Sequence, residues 1–261
     1  MVYQKNTFED GAKYERMMGV WSQLVGTHFL EWLNPTGGLN WIDIGCGSGA
    51  FTAQVAEFFS PSHLLGIDPS EAQIEFARNR SIKHPVTFQT GDAMSLQCVD
   101  NSMDIATMAL VLFFVPDPEN ALAEMKRVVK PRGIIAAYVW DIFRGGMPIA
   151  PLHRELQKRK IEYQLPPKAE EVSKKDELKR LWNDTDLKLI ECKQISVTRQ
   201  FENFEEFWNI TSSSHSMSLV FKKLTPQLIS DIRVSVEKEF NQNSSEPLKI
   251  QAHVNAIKGF V

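Results

Sequence analysis

Trp41-Ile42-Asp43-Ile44-Gly45-Cys46-Gly47-Ser48-Gly49-Ala50 decides the fold. A short apolar run ends in three glycines at alternate positions, and a helix opens behind them. Glycine permits the tight turn that sends a strand into a helix, and it lets a ligand come close to backbone N–H groups. The string fits the loose dinucleotide pattern G-x-G-x-x-A, so the turn alone leaves the ligand open. Asp68 stands 23 residues after Gly45 at the end of a second apolar run, where nucleotide and adenosyl ligands alike need an acidic residue for ribose hydroxyls.

Outward from the turn, apolar runs alternate with helical stretches. Strands are expected at Trp41–Ile44, Leu64–Asp68, Val86–Gln89, Ile105–Leu112 and Ile134–Trp140. Ser70 with Gln73 forms a capping box ahead of Ile74 and Phe76, and Asp117-Pro118 starts a helix carrying Ala121, Leu122 and Met125. Lys130-Pro131-Arg132-Gly133 is expected to stop that helix. Upstream, Trp21, Leu24, Val25, Phe29 and Trp32 give residues 16–33 an amphipathic helical stripe. Alternating strands and helices imply right-handed βαβ units and a parallel sheet covered on both faces.

Charge separates the candidate ligands. No Lys or Arg occurs from Asp43 to Phe51, and Asp43 precedes the first glycine by two residues. A carboxylate there repels a pyrophosphate and suits an ammonium beside a sulfonium, as in S-adenosylmethionine. Gly91-Asp92-Ala93 follows the third strand, where a carboxylate can accept from an exocyclic amine; the fourth strand ends in an apolar wall, Met108–Leu112.

With Gly66-Ile67-Asp68-Pro69-Ser70, Pro116-Asp117-Pro118 and Val128–Gly133 added to the turn, the chain resembles the class I S-adenosylmethionine-dependent methyltransferases, in the small-molecule, ubiquinone-biosynthesis-like (type 11) subgroup. The specific resemblance covers about residues 12–141; Arg132-Gly133 departs from the double glycine of many relatives. It implies an α/β fold: a seven-stranded, mostly parallel Rossmann-like sheet, the last strand antiparallel, with helices on both faces and a helical insertion. It also implies site residues. Gly45 and Gly47 let the backbone meet the methionine part, and Asp43 lies near its ammonium. Asp68 takes the ribose hydroxyls, Pro69 lies against adenine, Asp92 and Ala93 contact adenine, and Ala109 offers its backbone at the amino-acid end. Tyr14-Glu15-Arg16-Met17-Met18-Gly19-Val20-Trp21-Ser22 resembles the cofactor lid of the subgroup, with Tyr14 and Arg16 in reach of the methionine carboxylate or, equally, on the surface. S-adenosylhomocysteine is the implied product.

The bulk properties agree with an enzyme of this kind. The 261 residues are 43% hydrophobic and 23% charged, enough to bury a core without a disulfide or metal staple. Twenty-nine Lys+Arg against 32 Asp+Glu give a net charge of −3, which removes the bulk case for nucleic acid. Ile105–Pro116 is too short to span a bilayer, and the first residues have no apolar core of a signal peptide. Cys46, Cys98 and Cys192 are odd in number and far apart, so they read as reduced cytoplasmic thiols. No two histidines share metal-ligand spacing.

After Asp141 the alternation ends. Gly145–Pro151 is breaker-rich, 152–183 reads as helical with a solvated charged face, and 187–201 and 249–260 read as two longer strands. The expected organisation is an N-terminal helical lid (1–36), a core (37–202 and 247–261) and a helical insertion (203–246) that caps an acceptor. Phe204, Phe207 and Trp208 in that insertion read as core in preference to a ligand cage. Methyl transfer is an in-line displacement needing no fixed triad. Asp141, His153 and His215 are the candidates for a general base, each with a structural or surface reading beside it. Trp140 reads equally as pocket wall or core. Two other functions fit parts of the pattern: a non-catalytic S-adenosylmethionine-binding protein, and an NAD-type oxidoreductase, which Asp43 disfavours.

Overall fold

A computed structural model describes residues 15–163, 165–240 and 247–261. Seven strands form one sheet in the order β3-β2-β1-β4-β5-β7-β6. They are β1 Asn40–Ile44, β2 His63–Asp68, β3 Thr87–Thr90, β4 Met103–Ala109, β5 Val129–Trp140, β6 Lys188–Phe201 and β7 Leu248–Phe260. β1 to β5 run parallel, and β7 lies antiparallel between β5 and β6. The strand order reverses direction at β1 and β4, and ligands of open α/β sheets bind outside the carboxyl ends at such a point.

The helices are α1 Val20–Leu33, α2 Ala50–Phe59, α3 Glu71–Arg78, α4 Pro118–Val128, α5 Ala150–Lys158, α6 Ala169–Val172, α7 Lys175–Asp184, α8 Phe204–Ser212, α9 His215–Phe221 and α10 Pro226–Lys238. The starts follow the expected chemistry. Ser70 accepts from the Gln73 amide, and Asp117 accepts from the Asn120 amide with Pro118 in the first turn. Both sheet faces are covered. Lys258 and Gly259 are consecutive in β7 and so point opposite ways. Lys258 lies over the Trp32 ring of α1, while Gly259 lies under Trp182 of α7. The α1 stripe buries Trp21, Val25 and Phe29 fully, and Phe29 meets Tyr138 of β5 and Phe51 of α2 at ring distances of 4.7 and 5.9 Å.

Three expectations need correction. β4 stops at Ala109 and not at Leu112, because Leu110 takes a left-handed φ of 62° and Leu112–Phe114 close a 3₁₀ turn. Lys130–Gly133 does not merely end α4. These residues form a bulge inside β5 opposite Asp104, between the pairs Met103–Val129 and Ile105–Ile134. Arg132 enters the left-handed region there and donates its amide to Val261, and Lys130 reaches the Asp104 carboxylate at 2.8 Å. The helical stretch 152–183 is three helices, broken where Pro166-Pro167 removes two amide donors.

β6 and β7 outrun the parallel strands. β5 ends at Trp140 opposite Val254, yet β6–β7 pairing continues to Phe201 opposite Leu248. At about 3.4 Å per residue, Leu248–His253 and their β6 partners form a two-stranded ribbon reaching roughly 20 Å past the sheet's carboxyl edge. The segment between the ribbon's tips carries α8, α9 and α10. α8 packs against a π-helical turn, Glu15–Gly19, and α10 against α5.

Candidate functional site

The site begins with Asp43. It ends the apolar run of β1, is fully buried, and lies at the floor of a narrow cavity under the glycine turn. Its Oδ2 accepts from the Thr52 hydroxyl at 2.6 Å, and its Oδ1 has no hydrogen-bond partner among the described residues. Burial raises its pKa from 3.8 to about 7, against the opposing hydrogen bond from Thr52. A buried carboxyl with one open oxygen is unfavourable in isolation and is satisfied by a cation.

The turn is built by close approach. Gly45 has φ 73°, and a Cβ there would stand 2.4 Å from Val111 Cγ2. Gly47, at φ 51°, needs glycine for its conformation. The amides of Gly45 and Cys46 donate to the Ile67 carbonyl at 2.7 and 2.8 Å, and the Gly47 amide donates to Asp68 Oδ2 at 2.9 Å. These donors therefore face β2 and not the ligand. A dinucleotide turn aims its N–H groups at a pyrophosphate; this one spends them on the neighbouring strand end and leaves a carboxylate in the cavity.

Asp68 does two local jobs. Oδ2 fixes Gly47, and Oδ1 accepts from the Ser70 amide at 2.9 Å. Burial raises its pKa and these two hydrogen bonds oppose the rise. Ionised carboxylate oxygens hold further lone pairs, so both remain able to accept from hydroxyls. Pro69 and Asp92 are exposed beside it, and Asp92 Oδ1 holds the Met94 amide at 2.9 Å.

The structure brings Asp43, Gly45, Gly47 and Ala109 together around one cavity, with Gly19, Ser22, Phe51 and Tyr138. Asp68, Pro69, Asp92 and Ala93 sit along the adjoining ends of β2 and β3. Tyr14 and the Arg16 side chain lie outside the described residues. Asp141 and His153 are not among the residues lining this cavity. Asp141 is buried and accepts from Gln194 at 3.0 Å. His153 lies edge-on to Tyr163 at 5.2 Å, and burial lowers its pKa. The His215 side chain is outside the described residues.

Gly19 and Ser22 belong to the lid-like stretch Tyr14–Ser22, whereas Thr52 and Tyr138 have no place in the sequence reading of the site. Tyr138 had a readable signal: it alternates with the end of β5 and pairs with Ala109 across the β4–β5 register. Thr52 had only its place one turn into the helix behind Asp43.

Cysteines 46, 98 and 192 are unpaired. Among the described residues no His, Cys, Asp and Glu group is arranged to hold a metal, and no helix is long and apolar enough to cross a membrane.

Residues 42–137 match the methyltransferase domain family. Fold, turn and match agree: this segment is similar to the methyltransferase domain, and the whole sheet has the fold of solved methyltransferases. The chain is similar to the demethylmenaquinone methyltransferase of Staphylococcus epidermidis, with 28% identity over 160 residues, 59% of this chain and 64% of that protein. Among solved structures, it resembles the Haloferax volcanii methyltransferase crystallised with the Trm112 activator (TM-score 0.62, 16% identity, covering 100% of this chain and 98% of that one). It also resembles a Haemonchus contortus phosphoethanolamine N-methyltransferase in complex with S-adenosyl-L-methionine (TM-score 0.58, 16% identity, 99% of this chain and 58% of that one). The chain spans less than two thirds of the length of the curated relatives compared.

Proposed function

We propose that this chain transfers a methyl group from S-adenosylmethionine to a small-molecule acceptor. The observation that carries the reading is Asp43: a buried carboxyl with an unpartnered Oδ1, in a residue that lines the cavity beneath a turn whose Gly45, Cys46 and Gly47 amides face β2. That arrangement fits an ammonium and opposes a pyrophosphate, so an NAD-type ligand is disfavoured. When bound, S-adenosylmethionine supplies an electrophilic methyl on a sulfonium with a neutral leaving group.

The chain's own residues orient the reactants. Asp43 holds the ammonium, which stabilises its ionised form. Asp68 accepts from the ribose hydroxyls while keeping Gly47 in place. Pro69, Asp92 and Ala93 flank the adenine, and Ala109 presents its backbone at the amino-acid end. Gly45 and Gly47 admit the methionine part. Tyr14 and Arg16, in a lid over 1–36, meet its carboxylate. Residues 203–246 cap the acceptor, supported by the ribbon that carries them past the sheet edge and by the contact of α8 with the Glu15–Gly19 turn. Holding both reactants in line supplies much of the rate, and no base is required by an acceptor without a proton to lose. The small-molecule acceptors in the names of the two methyltransferases above support this class. The unpaired cysteines support a reducing, cytoplasmic setting.

Titration calorimetry with S-adenosylmethionine, S-adenosylhomocysteine and NADH in parallel tests the reading. Micromolar binding of the first two and none of NADH is expected. NADH binding alone overturns it, and tight S-adenosylmethionine binding without turnover on an acceptor panel turns the protein into a non-catalytic binder. Hydrogen exchange over 203–246 should slow with cofactor and a confirmed acceptor bound; unchanged exchange removes the cap.

A further inference from the structure

Trp140 is the last residue of β5, and its side chain shares a face with Tyr138, which lines the cofactor cavity. It therefore stands one step farther out along the same strand and face. It is 3% exposed and meets Trp21 edge-on at 6.5 Å, next to the cavity-lining Ser22. Its indole N–H is buried and has no hydrogen-bond partner among the described residues. A tryptophan buried in a core ordinarily pairs its N–H, as Trp41 does with the Thr107 hydroxyl at 2.9 Å and Trp182 does with the Ile135 carbonyl at 3.4 Å. An orphaned donor is unfavourable for the empty protein and becomes favourable only when something brings an acceptor atom to it.

We propose that the Trp140 indole N–H is a specificity determinant of the acceptor site. It donates to an oxygen on an otherwise apolar, ring-sized acceptor held between Trp140, Trp21 and the ribbon. The inference rests on the methyl-transfer reading, since it places the acceptor beside the cofactor cavity. A neutral donor in apolar surroundings favours a hydroxyl or carbonyl oxygen over a hydrocarbon of the same shape, because the hydrocarbon leaves the N–H unpaired. No charged side chain is needed for this choice, so it acts on neutral acceptors.

The test uses the full chain saturated with S-adenosylhomocysteine, and two probes of nearly equal shape, 1-naphthol and 1-methylnaphthalene. The wild type should bind the naphthol about tenfold more tightly. Trp140→Phe, which keeps a ring and removes the donor, should abolish that preference with S-adenosylhomocysteine affinity unchanged and no fall in melting temperature. In the wild type, one indole N–H resonance among the six tryptophans should move downfield with naphthol and not with methylnaphthalene, a readout that needs no variant. Equal or absent binding of the two probes, or a preference that survives in Trp140→Phe, overturns the inference. Failure of S-adenosylhomocysteine itself to bind instead overturns the cofactor reading beneath it.

Discussion

Around the glycine turn, position is set by the backbone. Gly45 touches Val111, the Gly47 amide is pinned by Asp68, and Asp43 is held by Thr52, each through one short contact. Around the insertion, position is set by aromatic side chains packing on one another. Phe207 meets Phe201 at 5.4 Å and Phe240 at 5.6 Å, and Trp208 stacks on Phe221 at 5.7 Å. A backbone-set site fixes a ligand common to all substrates and tolerates no added atom. A site set by interchangeable apolar rings tolerates substitution of similar volume and can be reshaped while the sheet stays fixed.

The largest effect should come from the ring cluster. Phe207→Ala empties a position only 1% exposed and should cost about 3–5 kcal/mol in denaturant unfolding. S-adenosylhomocysteine affinity measured under folding conditions should be unchanged; a parallel loss of affinity would show the two regions to be one unit. Gly45→Ala should behave oppositely. Its Cβ meets Val111 and its φ is left-handed, for a combined cost of about 2–4 kcal/mol, and cofactor binding should fall with it. Adding Val111→Ala should relieve the clash and leave the φ penalty.

Asp68→Ala should weaken S-adenosylhomocysteine by at least about tenfold in calorimetry, as expected for a charge-assisted contact of roughly 1.5–3 kcal/mol. It also frees Gly47, so a larger loss than Asp68→Asn gives would separate ribose contact from turn support. A further effect is in pH. The Asp43 pKa in the folded chain, about 7, lies above its ordinary 3.8, so the folded chain holds a proton that the unfolded chain releases. This contribution to stability is fully present below about pH 4 and is lost as pH rises through 7. The melting temperature of the ligand-free protein should therefore slope downward from pH 5 to 8, and Asp43→Asn should flatten that slope. Ammonium binding favours the ionised form, so cofactor affinity should rise over the same range.

The glycine turn was legible in the sequence because its determinants are consecutive. A strand, three glycines and a strand-end aspartate lie within ten residues, and Asp68 follows at a fixed distance. Tyr138 and Thr52 were not legible, since each is brought to the cavity or to Asp43 by the register of a different element. The end of β4 was misread because an apolar run, Ala109–Leu112, hides the left-handed turn at Leu110. The charged stretch 152–183 hid two breaks in its helix. In the insertion, Phe207 and Trp208 are buried as their spacing implies, and Phe204 is half-buried against them. Their partners, Phe201 and Phe240, lie on separate elements that no local pattern connects.

The ribbon has an architectural consequence. Phe201 and Leu248 are paired across β6 and β7, so the two ends of the insertion emerge side by side. Closing a loop between adjacent strand ends costs little more entropy for forty residues than for a few. The segment is thus a cassette on a hairpin stem: helices can be lengthened, exchanged or reduced to a tight turn there without shifting the register of the strands that hold the glycine turn. On the proposed reading, one stem with replaceable contents would let the same platform take different acceptors.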